Sequence, residues 1–425
     1  MISYSPRTVI TGLGICAPNG IGIDQFHTAM RDKVSGIRHH SELEALKFSC
    51  QIGGMPLVTE QHLTNVFTPL QLRGLNASGI VYGCIAGMEA WNNAGFAAQS
   101  NEKRPNTGVI FGAGISGTDK FREAIHHIDD HNVRRLGSTS VLQTMTSGVS
   151  TYLGGMIAAG NQVTANSSAC ATGVEALLMG IERIRHGKAK VMLVGSTSDS
   201  GPYIWGGFDA MRILPSKYNQ NPTQASRPMS ASASGFVPGS GAGAMVIEDY
   251  EHAKARGATI YAEVLGGHIN SGGQTNGGSM TAPNPSAVQE CIIKSLQNTN
   301  IQPTEIDYIN GHLTATTKDT EEIQNWVSAL DRSGNDFPAI NATKANIGHG
   351  LAASGSMECV ATVLQLKYQA LYPQLNCSDL HPNIKELIAP TCIPQEYTSA
   401  KIDTAIKASF GFGDVNACVI FKRFE

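Results

Sequence analysis

The chain has 425 residues, of which 41% are hydrophobic and 15% charged, with a formal net charge of −3. A chain of this length exceeds what one hydrophobic core usually covers, so two halves or two closely packed domains are expected. The absence of any long Lys/Arg run argues against nucleic-acid binding. The chain also contains no run of about 18 apolar residues, so no membrane span is expected.

Strand-like and helical segments alternate along the chain, which predicts an α/β architecture with mixed or parallel sheets. The strand-like segments are 8–11, 108–112, 191–195, 244–248, 260–265, 306–310 and 417–421. The helical segments are 77–95, 172–185, 286–299, 319–330 and 354–370. We place the division near residue 255, which gives halves of residues 1–255 and 256–425.

The start of the chain and its cysteines indicate an intracellular protein. The first seven residues contain no apolar signal region, so a cytoplasmic location is expected. Nine cysteines are scattered along the chain without any C-x-x-C pair. This pattern fits reduced thiols better than a disulfide framework or a metal site, so no metal is expected.

A glycine motif near the middle of the first half imitates a dinucleotide-binding fingerprint. Segment 112–117 reads G-x-G-x-x-G directly after a strand-like stretch. However, no clean amphipathic helix follows it, and no strand ends in an acidic residue about 20 positions later. We therefore expect no cofactor, and we interpret these glycines as permitting tight turns and close backbone packing.

Cys170 lies between a short strand-like stretch, 162–165, and the helical stretch 172–185. The apolar residues of that helix recur at the spacing of one buried face. A thiol at the first turn of a helix faces unpaired backbone N–H groups and the positive end of the helix dipole, which favours the thiolate. The small residues around Cys170 leave space for a substrate, so we predict a nucleophile.

Two histidines lie in turns rich in Gly, Ser and Thr. His312 follows the strand-like stretch 306–310, and His349 precedes a long helical run. Active-site residues are often found on loops of this kind. One cysteine and two histidines in such settings indicate a catalytic cluster.

Four segments around these residues together resemble the β-ketoacyl-[acyl carrier protein] synthases of the elongating, Cys-His-His type. They are 168–173, 310–316, 343–349 and 409–416, and they occur in the order of that family. The match spans essentially the whole chain. The resemblance implies a thiolase-like α/β fold whose duplicated halves form a five-layered α-β-α-β-α arrangement.

The same resemblance implies an acyltransferase that extends an acyl chain in fatty-acid, aryl-polyene or polyketide-type synthesis. An acyl group would be held as a thioester on Cys170, and a malonyl group would be decarboxylated and condensed with it. Both groups would arrive on the phosphopantetheine arm of an acyl carrier protein. His312 and His349 would stabilise the enolate by donating N–H bonds, and at least one ring must be neutral because two adjacent cations repel each other.

Further site residues follow from the resemblance. The backbone N–H groups of Cys170 and Phe412 would form the oxyanion hole, and Phe410 and Phe412 would belong to a mobile gate. Lys344 would tune the electrostatics around the histidines. Glu358 would support it as a buried partner, because an unpaired buried carboxylate is costly.

Substrate binding and assembly are also implied. Thr314 and Thr316 alternate on a segment interpreted as extended, and their hydroxyls would bind the amide groups of the pantetheine arm. The resemblance implies a homodimer, in which strand 162–165 pairs with its copy across a two-fold axis. An acidic carrier protein would need a basic patch, for which Arg73, Arg212 and Lys217 are candidates.

The chain departs from the family at several positions near the site. Leu313 and Asp414 occupy positions that are usually Gly, and the segment before Asp319 is one residue short. A charge at Asp414 would stiffen the gate loop or change what docks there. The departures at Leu313, at Asp414 and before Asp319 suggest a divergent paralogue serving a specialised pathway. Segment 266–285 is predicted to be a surface loop.

Two other functions remain open at this point. The first is a non-catalytic, chain-length-determining partner of a sister synthase, although such partners normally lack the nucleophile that Cys170 provides. The second is a thiolase-type acyltransferase, which uses a second cysteine as acid and base. Cys418 is available, but it lies in a strand-like segment instead of a Gly-rich turn.

Overall fold

The computed structural model describes residues 6–97 and 102–425. The ten principal strands are β1 Thr8–Ala17, β2 Thr107–Ala113, β3 Val163–Thr164, β4 Val191–Ser198, β5 Gly241–Asp249, β6 Ala262–Ser271, β7 Tyr308–Asn310, β8 Ala339–Asn341, β9 Thr404–Gly411 and β10 Val415–Arg423. The five principal helices are α1 Ser78–Asn93, α2 Thr172–Arg185, α3 Pro285–Thr299, α4 Asp319–Leu330 and α5 Ser354–Tyr368.

Shorter elements connect these fifteen. The short α-helices are Ile23–Arg31, Ser41–Ala45, Glu60–Thr64, Pro69–Leu72, Thr118–Asp129, Ser140–Thr144, Gly148–Met156, Pro202–Ala210, Tyr250–Ala255, Lys344–Ile347 and Pro382–Leu387. The 3-10 turns are Val133–Arg135, Ala169–Ala171, Ser216–Tyr218, Pro222–Gln224, Pro303–Glu305, Leu351–Ala353 and Pro390–Cys392. The short strands are Gly20–Ile21, Ile37–His39, Ile52–Gly54, Ala370–Leu371 and Thr398–Ser399.

The sheet contains the same five-stranded pattern twice. Its order is β8-β7-β9-β10-β6-β1-β5-β4-β2-β3, so each half runs third, second, fourth, fifth, first in chain order. In each half the fifth strand pairs antiparallel with both the first and the fourth strand. The second strand pairs parallel with both the fourth and the third strand. A short antiparallel register between 8–10 and 262–264 joins the halves. The predicted duplication is therefore confirmed.

Helices α2 and α5 form a middle layer, because each contacts strands of both halves. Helix α1 covers the outer face of the first half, and α3 and α4 cover the outer face of the second. Every residue of α5 from Ser354 to Leu366 is buried, as a helix at the centre of a fold requires. These layers form the predicted α-β-α-β-α arrangement.

Helices α2 and α5 cross closely at two glycines near their N-terminal ends. A Cβ on Gly173 would lie 2.3 Å from the backbone N of Ser356, and a Cβ on Gly355 would lie 2.8 Å from that of Val174. Any side chain there would push the helices apart. Because Cys170 precedes α2 and His349 precedes α5, this crossing places both residues at one point.

Some predicted boundaries agree with the structure and others differ from it. The predicted bounds 172–185 and 319–330 agree with α2 and α4. Segment 266–285 is only partly a loop, because 266–271 continues β6 in register with β10. The stretch 162–165 contains only the two-residue strand β3. Helix Tyr250–Ala255 lies between the two sets of strands, and we propose residue 255 as the boundary.

Candidate active site

Cys170 lies in the 3-10 turn Ala169–Ala171, directly before α2. Thr172 holds this turn, because its hydroxyl accepts the N–H of Ser168 at 2.8 Å and donates to the carbonyl of Ala169 at 2.7 Å. The backbone N–H groups of Phe412 and of Cys170 itself lower the pKa of the Cys170 thiol, so both groups favour negative charge at the sulfur.

Burial decides the resting state of Cys170. It raises the pKa of the Cys170 thiol to about 11, although Lys344 and the two N–H groups act in the opposite direction. The backbone N–H groups therefore favour the thiolate, as expected, but burial outweighs them and leaves the thiol protonated. Removing the sulfur from water disfavours its charged form more strongly than these groups favour it.

His349 is oriented toward the sulfur by its own loop. Its Nε2 lies 3.2 Å from the Sγ of Cys170. Its Nδ1 accepts the backbone N–H of Leu351 at 3.0 Å and lies 2.9 Å from the hydroxyl of Ser354. Since Nδ1 is an acceptor, the proton of the neutral ring resides on Nε2. His349 therefore presents an N–H donor to the reaction centre.

His312 has the same orientation for a different reason. The Nζ of Lys344 donates to the carbonyl O of His312 at 2.6 Å and lies 3.4 Å from its Nδ1. An ammonium group can only donate, so Nδ1 accepts and Nε2 carries the proton. The rings of His312 and His349 are nearly perpendicular, at 85°, with centroids 5.5 Å apart.

Both histidines are neutral at physiological pH. Burial lowers the pKa of His312 and of His349 well below 6.5, and the charge of Lys344 lowers both further.

Atoms that could bind a metal ion, one each from Cys170, His312 and His349, lie within 4.8 Å of one another. Although Zn²⁺ binds such residue types, a metal would here lie beside the Lys344 ammonium, and the like charges would repel.

A fully buried ion cluster supports His312. Lys344 pairs with Oε1 of Glu358, as expected from the apolar neighbours of Glu358. Lys407 lies 2.9 Å from Oε2 of the same carboxylate. Sequence reasoning did not identify Lys407, although a lysine within the otherwise uncharged segment of strand β9 is a detectable signal.

Two buried carboxylates hold the loop that carries His312. Glu322 accepts the N–H groups of His312 and Leu313, each at 2.7 Å. Asp319 accepts those of Thr314 and Ala315 at 2.9 and 3.1 Å. Burial raises the pKa of Asp319 to about 6 and that of Glu322 to about 7.

Asp319 and Glu322 were not predicted as site residues, although acidic residues three apart in the first turn of a helix are a recognisable signal. The segment after His312 is not extended, because its backbone wraps around Asp319 with Leu313 at φ 21° and Ala315 at φ 62°. The side chain of Leu313 packs in the apolar cluster of the second half, which accommodates the departure from Gly.

Two cavities meet at Cys170. The larger, of about 260 Å³, contains both histidines, Thr314 and Thr316, whose hydroxyl oxygens lie 3.0 Å apart. The smaller, of about 150 Å³, is mostly apolar and extends past Phe208. Phe412 lines both cavities, as do Cys170, His349 and Phe236.

The remaining predicted residues occupy distinct places. Phe410 lines the larger cavity, with its ring 6.0 Å from that of His312. Arg73, Arg212 and Lys217 are exposed, and Arg212 adjoins residues at the mouth of the larger cavity. Cys418 is fully buried in β10 and lines neither cavity.

Comparison with family models gives two matches that together cover most of the chain. The model described as "Beta-ketoacyl synthase, N-terminal domain" matches residues 6–253. The model described as "Beta-ketoacyl synthase, C-terminal domain" matches residues 261–378.

Similar proteins have been described in bacteria. The chain is 32% identical over 423 residues to 3-oxoacyl-[acyl-carrier-protein] synthase 2 of Vibrio harveyi, covering 98% of each chain. It is 31% identical over 427 residues to 3-oxoacyl-[acyl-carrier-protein] synthase 1 of Escherichia coli K12, covering 99% of each.

Solved structures share this fold over the whole chain. A beta-ketoacyl synthase from Burkholderia phymatum STM815 superposes with a TM-score of 0.89 at 27% identity, covering 99% of this chain and 100% of that one. A type II PKS ketosynthase, solved with its acyl-carrier protein and bound to the hexaketide, superposes with a TM-score of 0.85 at 26% identity and the same coverage.

Proposed function

The chain belongs to the beta-ketoacyl synthase family and is a condensing acyltransferase, and we propose that Cys170, His312 and His349 perform its chemistry. The proposed reaction joins an acyl group held on Cys170 to the two-carbon unit of malonyl-acyl carrier protein, with release of carbon dioxide. The observation that supports it is the convergence of the sulfur and two N–H-donating imidazoles where two cavities meet.

The first half-reaction loads Cys170. The sulfur attacks the carbonyl of an acyl thioester, the new C–S bond forms, and the old one breaks. The proton lost by Cys170 ends on the released phosphopantetheine thiol, so charge balances. The backbone N–H groups of Cys170 and Phe412 stabilise the oxyanion, and the Nε2–H of His349 and the Lys344 ammonium stabilise the attacking sulfur.

The second half-reaction extends the chain. The bond between the malonyl carboxylate and its α-carbon breaks, carbon dioxide leaves, and the electron pair passes to an enolate oxygen. The Nε2–H groups of His312 and His349 donate to this oxygen. The enolate carbon then attacks the acyl-Cys170 carbonyl, the C–S bond breaks, and the released thiolate takes one proton from solvent.

Intact-mass measurement of Cys170 tests this function. Wild-type protein incubated with a panel of acyl-acyl carrier proteins is expected to gain the mass of one acyl group, and added malonyl-acyl carrier protein to remove it as the 3-oxoacyl product. Cys170→Ala is the control and should gain no mass. If the wild type also stays unmodified across the panel, the chain is a non-catalytic partner of a sister synthase.

We also propose that an acyl carrier protein delivers both substrates at the mouth of the larger cavity. Thr314 and Thr316 would bind the pantetheine amides there, and exposed Arg212 would bind the acidic carrier surface. Arg73 and Lys217, which are also exposed, are further candidates. Charge reversal at Arg212 should slow loading from carrier protein and spare small thioesters. Equal effects on both substrates would reject this surface.

A homodimer is part of the proposal. Strand β3 lies at one edge of the sheet, where Val163 is 38% exposed. Helix Thr118–Asp129 presents Phe121, Ile125 and Ile128 to solvent in the same half. Sedimentation should show two copies, and charge placed at Ile125 should dissociate them.

The pathway, whether fatty-acid, aryl-polyene or polyketide, and the cytoplasmic location stay predictions. No helix within residues 6–97 or 102–425 is long and apolar enough to span a membrane.

A further inference from the structure

Lys407 is a charged side chain placed in the centre of the fold. It is fully buried on β9. Alternation along this strand directs Ile406 and Ala408 to the apolar cluster of the second half, and Ala405 to the cluster shared with α2 and α5. Lys407 therefore faces the middle layer. A buried ammonium is costly unless it is paired, so its partners indicate its role.

Lys407 pairs with the carboxylate that also holds Lys344, and its ammonium donates in addition to the carbonyl O of Ala408 and to the hydroxyl of Ser409 at 3.3 Å. The Nζ of Lys407 lies 2.9 Å from Oε2 of Glu358, while Lys344 pairs with Oε1. With an ammonium on each oxygen, the Glu358 carboxylate cannot rotate without losing one pair. The position of Lys344, and of the His312 carbonyl that it binds at 2.6 Å, depends on this arrangement.

The charges of this cluster suit the second half-reaction. Two ammonium groups and one carboxylate leave a net positive charge when all three are ionised. Glu322 is a second carboxylate that acts on Lys344, and burial raises its pKa to about 7, which disfavours its charged form. Without Lys407, Glu358 would neutralise Lys344 alone. The positive charge of Lys407 also helps to hold the pKa of His312 and of His349 below the usual value, after burial and Lys344. The excess charge lies behind His312, where the enolate develops.

We propose that Lys407 is a positioning residue for malonyl decarboxylation, acting through Glu358 on Lys344 and thereby on His312. It lines neither cavity, so it does not touch substrate. The inference rests on the proposed condensing function. It adds Lys407, as a positioning residue, to the cysteine and the two histidines.

Lys407→Met separates positioning from binding, because it keeps the length of the side chain and removes the charge. We expect malonyl decarboxylation to fall at least about tenfold in kcat, since Lys407 acts through a charged pair. The KM for malonyl-acyl carrier protein should stay within about threefold, because neither cavity changes. Lys422→Met, an exposed lysine on the neighbouring strand β10, is the matched control and should equal wild type.

Chemical rescue provides the second measurement. In Lys407→Ala, added methylammonium should restore part of the decarboxylation rate in a saturable manner, while the bulkier tetramethylammonium should not. Wild-type decarboxylation by Lys407→Met would overturn the proposal. Failure of both variants to fold, or absence of rescue in a folded Lys407→Ala, would assign Lys407 to stability and overturn it equally. If wild type itself neither acylates nor decarboxylates, the proposed function fails instead.

Discussion

The carboxylate of Asp414 accepts the backbone N–H of Asn284 at 2.8 Å, and its other oxygen accepts that of Gln274 at 2.9 Å. The two donors lie at positions 274 and 284 of loop 272–284, part of which lines the larger cavity. Asp414 follows Phe412, the proposed gate residue, by two positions. This one buried side chain therefore ties the gate to the loop facing it, which makes the predicted stiffening of the gate by Asp414 a specific structural hypothesis.

Asp414→Gly, which introduces the residue usual in the family, should loosen loop 272–284. Two backbone N–H groups lose their acceptor, while Gly tolerates the φ of 62° at this position. Hydrogen exchange should therefore speed up in 272–284. Asp414→Asn is the control, because it keeps one acceptor oxygen and is also tolerated at positive φ. Unchanged exchange in the Gly variant would contradict the hypothesis.

His312→Ala should separate the two half-reactions. The Nε2 of His349 lies 3.2 Å from the Cys170 sulfur, and the oxyanion donors are backbone groups, so loading should persist. Decarboxylation loses one N–H donor to the enolate and should fall about 100-fold or more. Single-turnover assays of each half-reaction measure both. Equal losses in loading and decarboxylation would show that His312 supports the site as a whole.

Titration of His312 and His349 should add no step to the pH profile of decarboxylation between about pH 6.5 and pH 8. The folded-state pKa of both histidines lies well below 6.5, so both rings are neutral over this range, and a change in rate there would belong to Glu322, whose pKa burial raises to about 7. Lys344→Met removes a positive neighbour, which raises both pKa values and should move the acid limb upward. An acid limb near pH 6.5 that persists in Glu322→Gln would disagree with this assignment.

Phe208→Ala should extend the acyl groups that Cys170 accepts. Phe208 lines the apolar cavity of about 150 Å³, and truncation of its ring lengthens the available space. Intact mass after exposure to acyl carriers of increasing length measures the effect. Phe424→Ala, on the far side of the fold against Tyr250, is the control and should keep the wild-type profile. Identical profiles for the two variants would show that another residue limits chain length.

Gly173→Ala should lower the free energy of unfolding by about 2 kcal/mol or more, because its Cβ would lie 2.3 Å from the backbone N of Ser356. Loading of Cys170 should slow as well, since the two helices separate. Denaturant titration measures the first effect. Gly155→Ala is the control: it lies in helix Gly148–Met156 with no atom within 4 Å of the added Cβ, and it should be neutral or slightly stabilising.

The amino-acid sequence was sufficient for the local elements that carry the site. Apolar periodicity placed α2 at its observed bounds, and the small residues around Cys170 marked the turn before it. Glu358 was recognised as buried because its helix neighbours are apolar, and the structure pairs it with Lys344. The extended form predicted after His312 was wrong, because that backbone follows the Asp319 carboxylate and not its own propensity.

What the sequence determined by itself is the family, the order of the strands and helices, and the candidates for the reacting residues. These depend on motifs and on periodicities that short stretches of chain contain in full. Only the tertiary structure showed that the Cys170 thiol is protonated, that both histidines carry their proton on Nε2, and that Lys407 forms an ion pair with Glu358. Each of these depends on loss of water and on contacts between distant residues, 179 positions apart for Cys170 and His349, which only packing brings together.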